Sequence, residues 1–181
     1  MFNVRFHGRG GQGVVTAAEM LSVAAFDSGR HAQAFPTFGS ERTGAPVVSF
    51  CRIDDAPIRF HEPIETPHAV VVQDPTLLHV VPVLQGVTPS TYLLVNTSRT
   101  PAELGLENVG RVTTLPATDL AREVIGRPLP NTALLGALAA LTGVVSLDAV
   151  IDAIRQRWAG AVGDANVEVA VRAHAGVSTH A

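Results

Sequence analysis

The chain has 181 residues, 46% apolar and 16% charged, a balance that suits one folded domain of the usual ~100–200 residues and excludes disorder of the whole. Its formal charge of -3 lacks the basic excess that a grip on a phosphate backbone needs, and all thirteen basic residues are arginine, which excludes a phosphate-loop or Schiff-base lysine. Cys51 is the only cysteine, so this chain by itself forms no internal disulfide, all-cysteine zinc site or iron–sulfur cluster.

The start, Met1-Phe2-Asn3-Val4-Arg5, runs straight into strand-like sequence. It has no charged leader followed by a long apolar region, and no apolar stretch approaches ~18 residues, so the expectation is a cytoplasmic protein with neither membrane nor nucleic acid as partner. Val4-Arg5-Phe6 alternates as a strand and meets the cluster Gly8-Arg9-Gly10-Gly11-Gln12-Gly13, after which Val14, Ala17, Ala18, Leu21, Ala24 and Ala25 recur at helical spacing up to Gly29 at the C-cap. Strand, glycine turn and helix in that order open an α/β unit.

His31 to Phe35 is predicted as a second strand ended by Pro36, followed by a loop from Thr37 to Pro46 that carries Glu41 and Arg42. Val47 to Ile53 reads as a strand, Asp54 to Pro57 as a turn, and Ile58-Arg59-Phe60 as a short strand that returns beside it in a hairpin-like antiparallel edge. Ala69 to Val72 and Tyr92 to Val95 are apolar runs of the kind that fill a buried parallel sheet, with Gln73-Asp74 and Asn96-Thr97 at their carboxyl ends, where open α/β sheets bind ligands. Between them Thr76 to Leu84 is a helix candidate broken at Pro82.

Arg111 to Leu115 is the last predicted strand and Ala117 to Ile125 the helix after it. Asn131 is placed as N-cap of a helix over Thr132 to Leu141, and Ser146 as N-cap of a helix whose apolar stripe is Leu147, Val150, Ile151, Ile154 and Trp158. Asn166 to Ala173 reads as a weaker third helix and Gly176 to Ala181 as a loose tail. The expected fold is a single α/β domain over residues 1–181: a mostly parallel, Rossmann-like sheet flanked by helices, with a hairpin-like edge and a C-terminal helical segment.

Gly8, Gly10 and Gly13 satisfy the G-x-G-x-x-G spacing between a strand and a helix. Residues without side chains let backbone N–H groups at a helix N-terminus approach phosphate oxygens, and Arg9 adds a charge-assisted contact. A nicotinamide cofactor is disfavoured, because no acidic residue stands at the end of a second strand ~20 residues on; the alternative is that the glycines only let strand and helix pack closely. Glu41 and Arg42 either reach a ligand or partner, or form a solvated pair. His7 either lines a ligand cleft or is a structural histidine at a strand end. The seven histidines lack metal-ligand spacing, and no catalytic set is visible, so neither a metal site nor a catalytic residue is assigned.

The run His7-Gly8-Arg9-Gly10-Gly11-Gln12-Gly13-Val14-Val15-Thr16-Ala17-Ala18-Glu19, followed by Gln33-Ala34-Phe35-Pro36-Thr37-Phe38-Gly39-Ser40-Glu41-Arg42-Thr43-Gly44-Ala45-Pro46-Val47, resembles the gamma subunit of 2-oxoacid:acceptor oxidoreductases, of which pyruvate:ferredoxin oxidoreductase is the best-known member. Weaker echoes stand at Asn131-Thr132-Ala133-Leu134-Leu135-Gly136-Ala137 and at Asn166. The resemblance implies a non-autonomous subunit of an enzyme that oxidatively decarboxylates a 2-oxoacid and traps the acyl group on coenzyme A. Electrons then pass to ferredoxin or, through a further subunit, to NAD. Thiamine diphosphate, Mg and the iron–sulfur clusters are expected on alpha, beta and delta-type partners, and no cofactor on this chain alone.

On that resemblance Gly8, Arg9, Gly10, Gly11, Gln12 and Gly13 help to receive coenzyme A, while His7, Thr37, Phe38, Glu41 and Arg42 meet ligand or a neighbouring subunit. Two other readings stay open at this level: a pure assembly subunit that touches no cofactor, and a free-standing nucleotide-binding protein. A departure is Glu19, which stands where fused single-chain relatives carry a lysine.

Overall fold

The computed structural model describes residues 1–37 and 43–178. The elements follow in chain order as β1 (Phe2–Arg9), α1 (Val14–Asp27), β2 (His31–Pro36), β3 (Pro46–Asp54), β4 (Ala69–Val72), β5 (Tyr92–Asn96), β6 (Arg111–Leu115), α2 (Ala117–Ile125), α3 (Asn131–Thr142), α4 (Leu147–Arg157) and α5 (Gly160–Ser178). The strands form a six-stranded sheet in the order β2-β3-β1-β4-β5-β6. β1, β4, β5 and β6 are parallel, and β3 alone runs against both of its neighbours.

The period of two along each strand sorts the side chains to two different covers. On one face Val4, Phe6, Cys51, Ala69, Val71 and Leu94 meet the buried sides of the helices in one core. On the other, Val70, Val72, Leu93 and Val95 lie under Leu77, Val83 and Leu106, which come from connecting segments. The helical cover is thus one-sided. The second face is held by Arg5, 5% exposed, whose guanidinium donates to the carbonyls of Ile64 (3.2 Å), Val83 (2.7 Å) and Gln85 (2.7 Å). One buried cation on β1 therefore fastens two connecting segments to the sheet.

Several sequence expectations change. Ile58-Arg59-Phe60 is not a strand: β3 already pairs on one side with β2, from His31↔Asp54 to Pro36↔Ser49, and on the other with β1, so it offers no free edge. The antiparallel part of the sheet is β2–β3–β1. Thr76 to Leu84 is reduced to a 3₁₀ turn over Pro75–His79, capped by Asp74, whose carboxylate accepts from the Thr76 N–H at 3.0 Å.

Asn131 is the first residue of α3 rather than its cap, Pro130 taking the cap position, and its side chain turns toward Gly13. Ser146 caps α4 as expected, its hydroxyl accepting from Ala149 N–H; of the predicted stripe Val150 and Ile154 are fully buried. The third C-terminal helix is far longer than Asn166 to Ala173, and it carries Gly176 and the backbone of Ser178, so that part of the expected tail is helix. Residues 179–181 lie outside the described residues.

Candidate functional site

β1 delivers the chain to the glycine turn and α1 carries it away. Gly11 (φ +94°) and Gly13 (φ +74°) both adopt the left-handed region, and Gly13 is the N-cap of α1. That conformation is cheap only without a Cβ. Gly8 has a different reason: a Cβ there would stand 2.5 Å from Val14 Cγ2 and 3.1 Å from Gln73 Cβ. It permits close packing of strand against helix, whereas at Gly11 a Cβ would meet nothing within 4 Å. Gly11 is open to the cavity side of the turn.

The turn is held from two directions. Gly10 N–H donates to Ala45 C=O (2.9 Å) and Gly44 N–H to Gly10 C=O (3.2 Å), which joins the glycine turn to the returning end of the Thr37–Pro46 loop. From the other side Asp74 at the end of β4 accepts from Arg9 Nε and from Gln12 Nε2, each at 3.1 Å. Gln12 Oε1 in turn accepts from Arg9 N–H at 2.8 Å, and Arg9 also reaches Gly44 C=O (3.0 Å) and Thr76 Oγ1 (2.9 Å). Burial by itself would raise the Asp74 carboxyl, but hydrogen bonds from Thr76 and Gln12, helped by the charge of Arg9, hold it below the ordinary carboxylate range.

Arg9 and Gln12 brace the turn against Asp74 and are engaged in that network. Asp74, which sequence reading noted only as a polar residue at a strand end, is the centre of that support. Its position at the carboxyl end of a central strand was the available signal.

A cavity of about 360 Å³ opens at the turn, lined by Arg9, Gly10, Gly11 and Gly13, the first turn of α1 from Val14 to Thr16, and Thr43 and Val47. Its size suits a ligand. Among the described residues none accepts a hydrogen bond from the N–H of Gly11, Gly13, Val14, Val15 or Thr16. These are the orphan donors of a helix N-terminus, at the positive end of the helix dipole. Such an arrangement can hold an anion by backbone groups alone.

His7 faces the other way, on the side of the sheet that carries Arg5. It is 5% exposed, both ring nitrogens are sealed without a partner among the described residues, and burial together with the charge of Arg5 lowers its pKa to about 3. It is a neutral core histidine and does not line the cavity. Thr37 pairs across to β3, its N–H and hydroxyl both reaching Val48 C=O (2.9 and 3.0 Å). Phe38, Glu41 and Arg42 lie outside the described residues. Among the described residues no group of three or more His, Cys, Asp or Glu side chains is placed to hold a metal, and burial pushes the Cys51 thiol up.

Fold and turn together define an α/β domain with unpartnered backbone N–H groups at the start of its first helix and, among the described residues, no acidic side chain at the end of β2. The sequence matches the pyruvate ferredoxin/flavodoxin oxidoreductase family over residues 3–176. It is 48% identical over 177 residues to the common gamma subunit of the pyruvate/ketoisovalerate oxidoreductases of Thermococcus kodakarensis, covering 96% of this chain and 95% of that one. The crystal structure of the pyruvate oxidoreductase subunit PORC from Thermotoga maritima superposes with a TM-score of 0.85 at 38% identity, over 96% of this chain and 95% of that one. A 2-oxoglutarate:ferredoxin oxidoreductase from Magnetococcus marinus, solved with 2-oxoglutarate, coenzyme A and succinyl-CoA bound, contains the same fold. There the TM-score is 0.82 at 17% identity, over 99% of this chain and 31% of that longer one. The chain belongs to the pyruvate ferredoxin/flavodoxin oxidoreductase family, as a gamma-type subunit of a 2-oxoacid oxidoreductase.

Proposed function

We propose that this subunit binds the phosphates of coenzyme A at the glycine turn and so helps to build the site where a multi-subunit enzyme converts a 2-oxoacid and coenzyme A to acyl-CoA and CO2, with an electron pair passed to ferredoxin or a related acceptor. The observation that carries this reading is the set of unpartnered N–H groups of Gly11 and of Gly13 to Thr16 around an open cavity. A diphosphate needs such donors, and among the described residues no acidic side chain stands at the end of β2 to read a nicotinamide cofactor's ribose. Gly10, Gly11 and Gly13 shape the cradle; Gly8, Arg9 and Gln12 keep it rigid.

In this reading the whole chain acts as one domain within the complex. Thiamine diphosphate with Mg, on alpha- and beta-type partners, supplies the stabilisation of the carbanion left by decarboxylation, and iron–sulfur clusters on beta- or delta-type partners carry the electrons. Ferredoxin or an NAD-reducing subunit receives them. This chain's own part is to fix the coenzyme so that its thiol is presented to the partners' chemistry. Phe38, Glu41 and Arg42 are assigned to contact with ligand or a neighbouring subunit, and His7 and Thr37 to the framework. We place the complex in the cytoplasm; among the described residues no helix is long and apolar enough to cross a membrane.

Thr16→Glu tests the reading, since it sets a carboxylate at the mouth of the cradle. In the assembled complex the KM for coenzyme A is expected to rise about tenfold, equivalent to ~1.4 kcal/mol, with the KM for the 2-oxoacid unchanged. A complex that falls apart while its residual activity keeps a normal KM for coenzyme A would support the assembly reading instead.

A further inference from the structure

β2 closes one side of the sheet, and within the chain it pairs with β3 alone. Thr37 N–H donates to Val48 C=O at 2.9 Å, which fixes the alternation along the ladder: His31, Gln33 and Phe35 turn their backbone groups to β3, and Ala32 and Ala34 turn theirs outward. Donors are spent or missing at both ends of this free edge. Arg30 N–H is given to Ala25 C=O (3.1 Å), and Pro36 has no N–H. The open donors of the edge, on Ala32 and Ala34, are therefore symmetric about Gln33.

An exposed strand edge is normally blunted by charged side chains, lysine above all. From His31 to Phe35 this edge carries no Asp, Glu, Lys or Arg, and Arg30 before it is held by Asp55 at 2.9 Å. Gln33, at the centre of the edge, is itself incompletely bonded. Its Nε2 meets His61 Nδ1 at 2.7 Å, but its Oε1 is buried and has no partner among the described residues. A buried amide oxygen is normally paired.

We infer that two copies of this chain join their sheets edge to edge, β2 against β2 in antiparallel order, about a two-fold axis at Gln33. Ala32 then pairs with the partner's Ala34, and the open donors of both edges are all used. The two copies of Gln33 form the closely spaced pair on the axis, with Cα atoms ~4.5 Å apart, so the second N–H of each Nε2 reaches the partner's Oε1. His31 comes opposite the partner's Phe35, and within the paired stretch no charge meets a like charge. α1 packs over both β2 and β3. It stands about one strand spacing from the axis, so the two copies of α1 lie side by side at roughly 10 Å, an ordinary distance for packed helices. Because the axis reverses strand direction, the two glycine turns lie at opposite ends of the joined sheet. A strand of unrelated sequence needs no donors symmetric about Gln33; a second copy does.

The oligomeric state of the full chain tests this, by light scattering during size-exclusion chromatography over a dilution series. A dimer is expected at micromolar concentration. Ala34→Pro removes one outward donor and none that β3 uses, so it is expected to weaken the dimer at least tenfold and to leave the circular dichroism of the fold unchanged. The register is read separately, by a cross-link that decides the matter even where Ala34→Pro misfolds. Cys51, the only cysteine, is buried, so Gln33→Cys supplies the one accessible thiol. Under mild oxidation with diamide it is expected to give a disulfide-linked dimer. His31→Cys, which in this register lies across from the partner's Phe35 and not from its own copy, is expected to stay unlinked. A chain that is monomeric at every concentration, or a dimer that links through His31→Cys and not through Gln33→Cys, would overturn the inference.

Discussion

Asp74 is the residue on which the glycine turn leans. Its carboxylate gathers Arg9, Gln12 and Thr76, so Asp74→Ala frees donors on both sides of the cradle and is expected to cost roughly 1–3 kcal/mol of stability. Because its pKa lies below the ordinary range, the unfolded chain takes up the proton first. Its stabilising share is present above the unfolded value and is lost as pH falls through the folded one.

His7 makes the chain acid-sensitive at higher pH. Buried and neutral, it titrates at about 3 in the folded state against an ordinary 6.5, so the unfolded chain binds the extra proton between those values. Stability should fall as pH drops below 6.5, by at most about 1.4 kcal/mol per pH unit. Urea denaturation at pH 5 and pH 7 measures this, and His7→Leu should flatten the difference. Arg5→Met would leave the carbonyls of Ile64, Val83 and Gln85 without their shared donor, at an expected cost of roughly 3 kcal/mol.

At the scale of elements, two helices close the C-terminal part of the core. α3 and α5 approach so closely at Gly136 that a Cβ there would stand 2.1 Å from the carbonyl oxygen of Ala170. The Thr132–Asn166 hydrogen bond closes the same interface at 3.1 Å. Gly136→Ala must push the helices apart, at an expected cost of ~1–3 kcal/mol read from the thermal midpoint.

The extent of α5 illustrates what local pattern conceals. Gly160, Gly163 and Gly176 lower helix propensity where the helix runs, and the reason that Gly163 is present lies outside the helix: a Cβ there would meet the Trp158 carbonyl oxygen at 2.1 Å. Packing overrides propensity at that point. The periodic part of the chain was easier to read, since α1 and β4 to β6 obey their expected spacings almost to the residue.

For the whole molecule the decisive feature is the strand order. By inserting β3 between β2 and β1 in the opposite direction, the fold brings the loop that ends at Pro46 back onto Gly10. Gly44 and Ala45, near the end of the second stretch that carries the family resemblance, thereby bond to Gly10 of the first. In the proposed function the chain holds a coenzyme for its partners and performs no reaction of its own. The purified chain is expected to show no 2-oxoacid oxidation, and affinity purification from its host should bring down thiamine-binding and cysteine-rich chains in fixed ratio, as peptide mass spectrometry would record. Turnover by the chain alone would contradict the proposed division of labour.

The amino-acid sequence by itself determined the α/β class, the position of the glycine turn between strand and helix, and the family. These depend on hydrophobic period, on residues without side chains and on contiguous motifs, all of which are local. Tertiary structure decided what lies between distant segments: the order of strands, the one-sided helical cover, the support of the turn by Asp74, the withdrawal of His7 into the core, and the meeting of Gly13 with Asn131. Each of these depends on which edge pairs with which and on how closely two backbones can approach, and no spacing within a single segment encodes either.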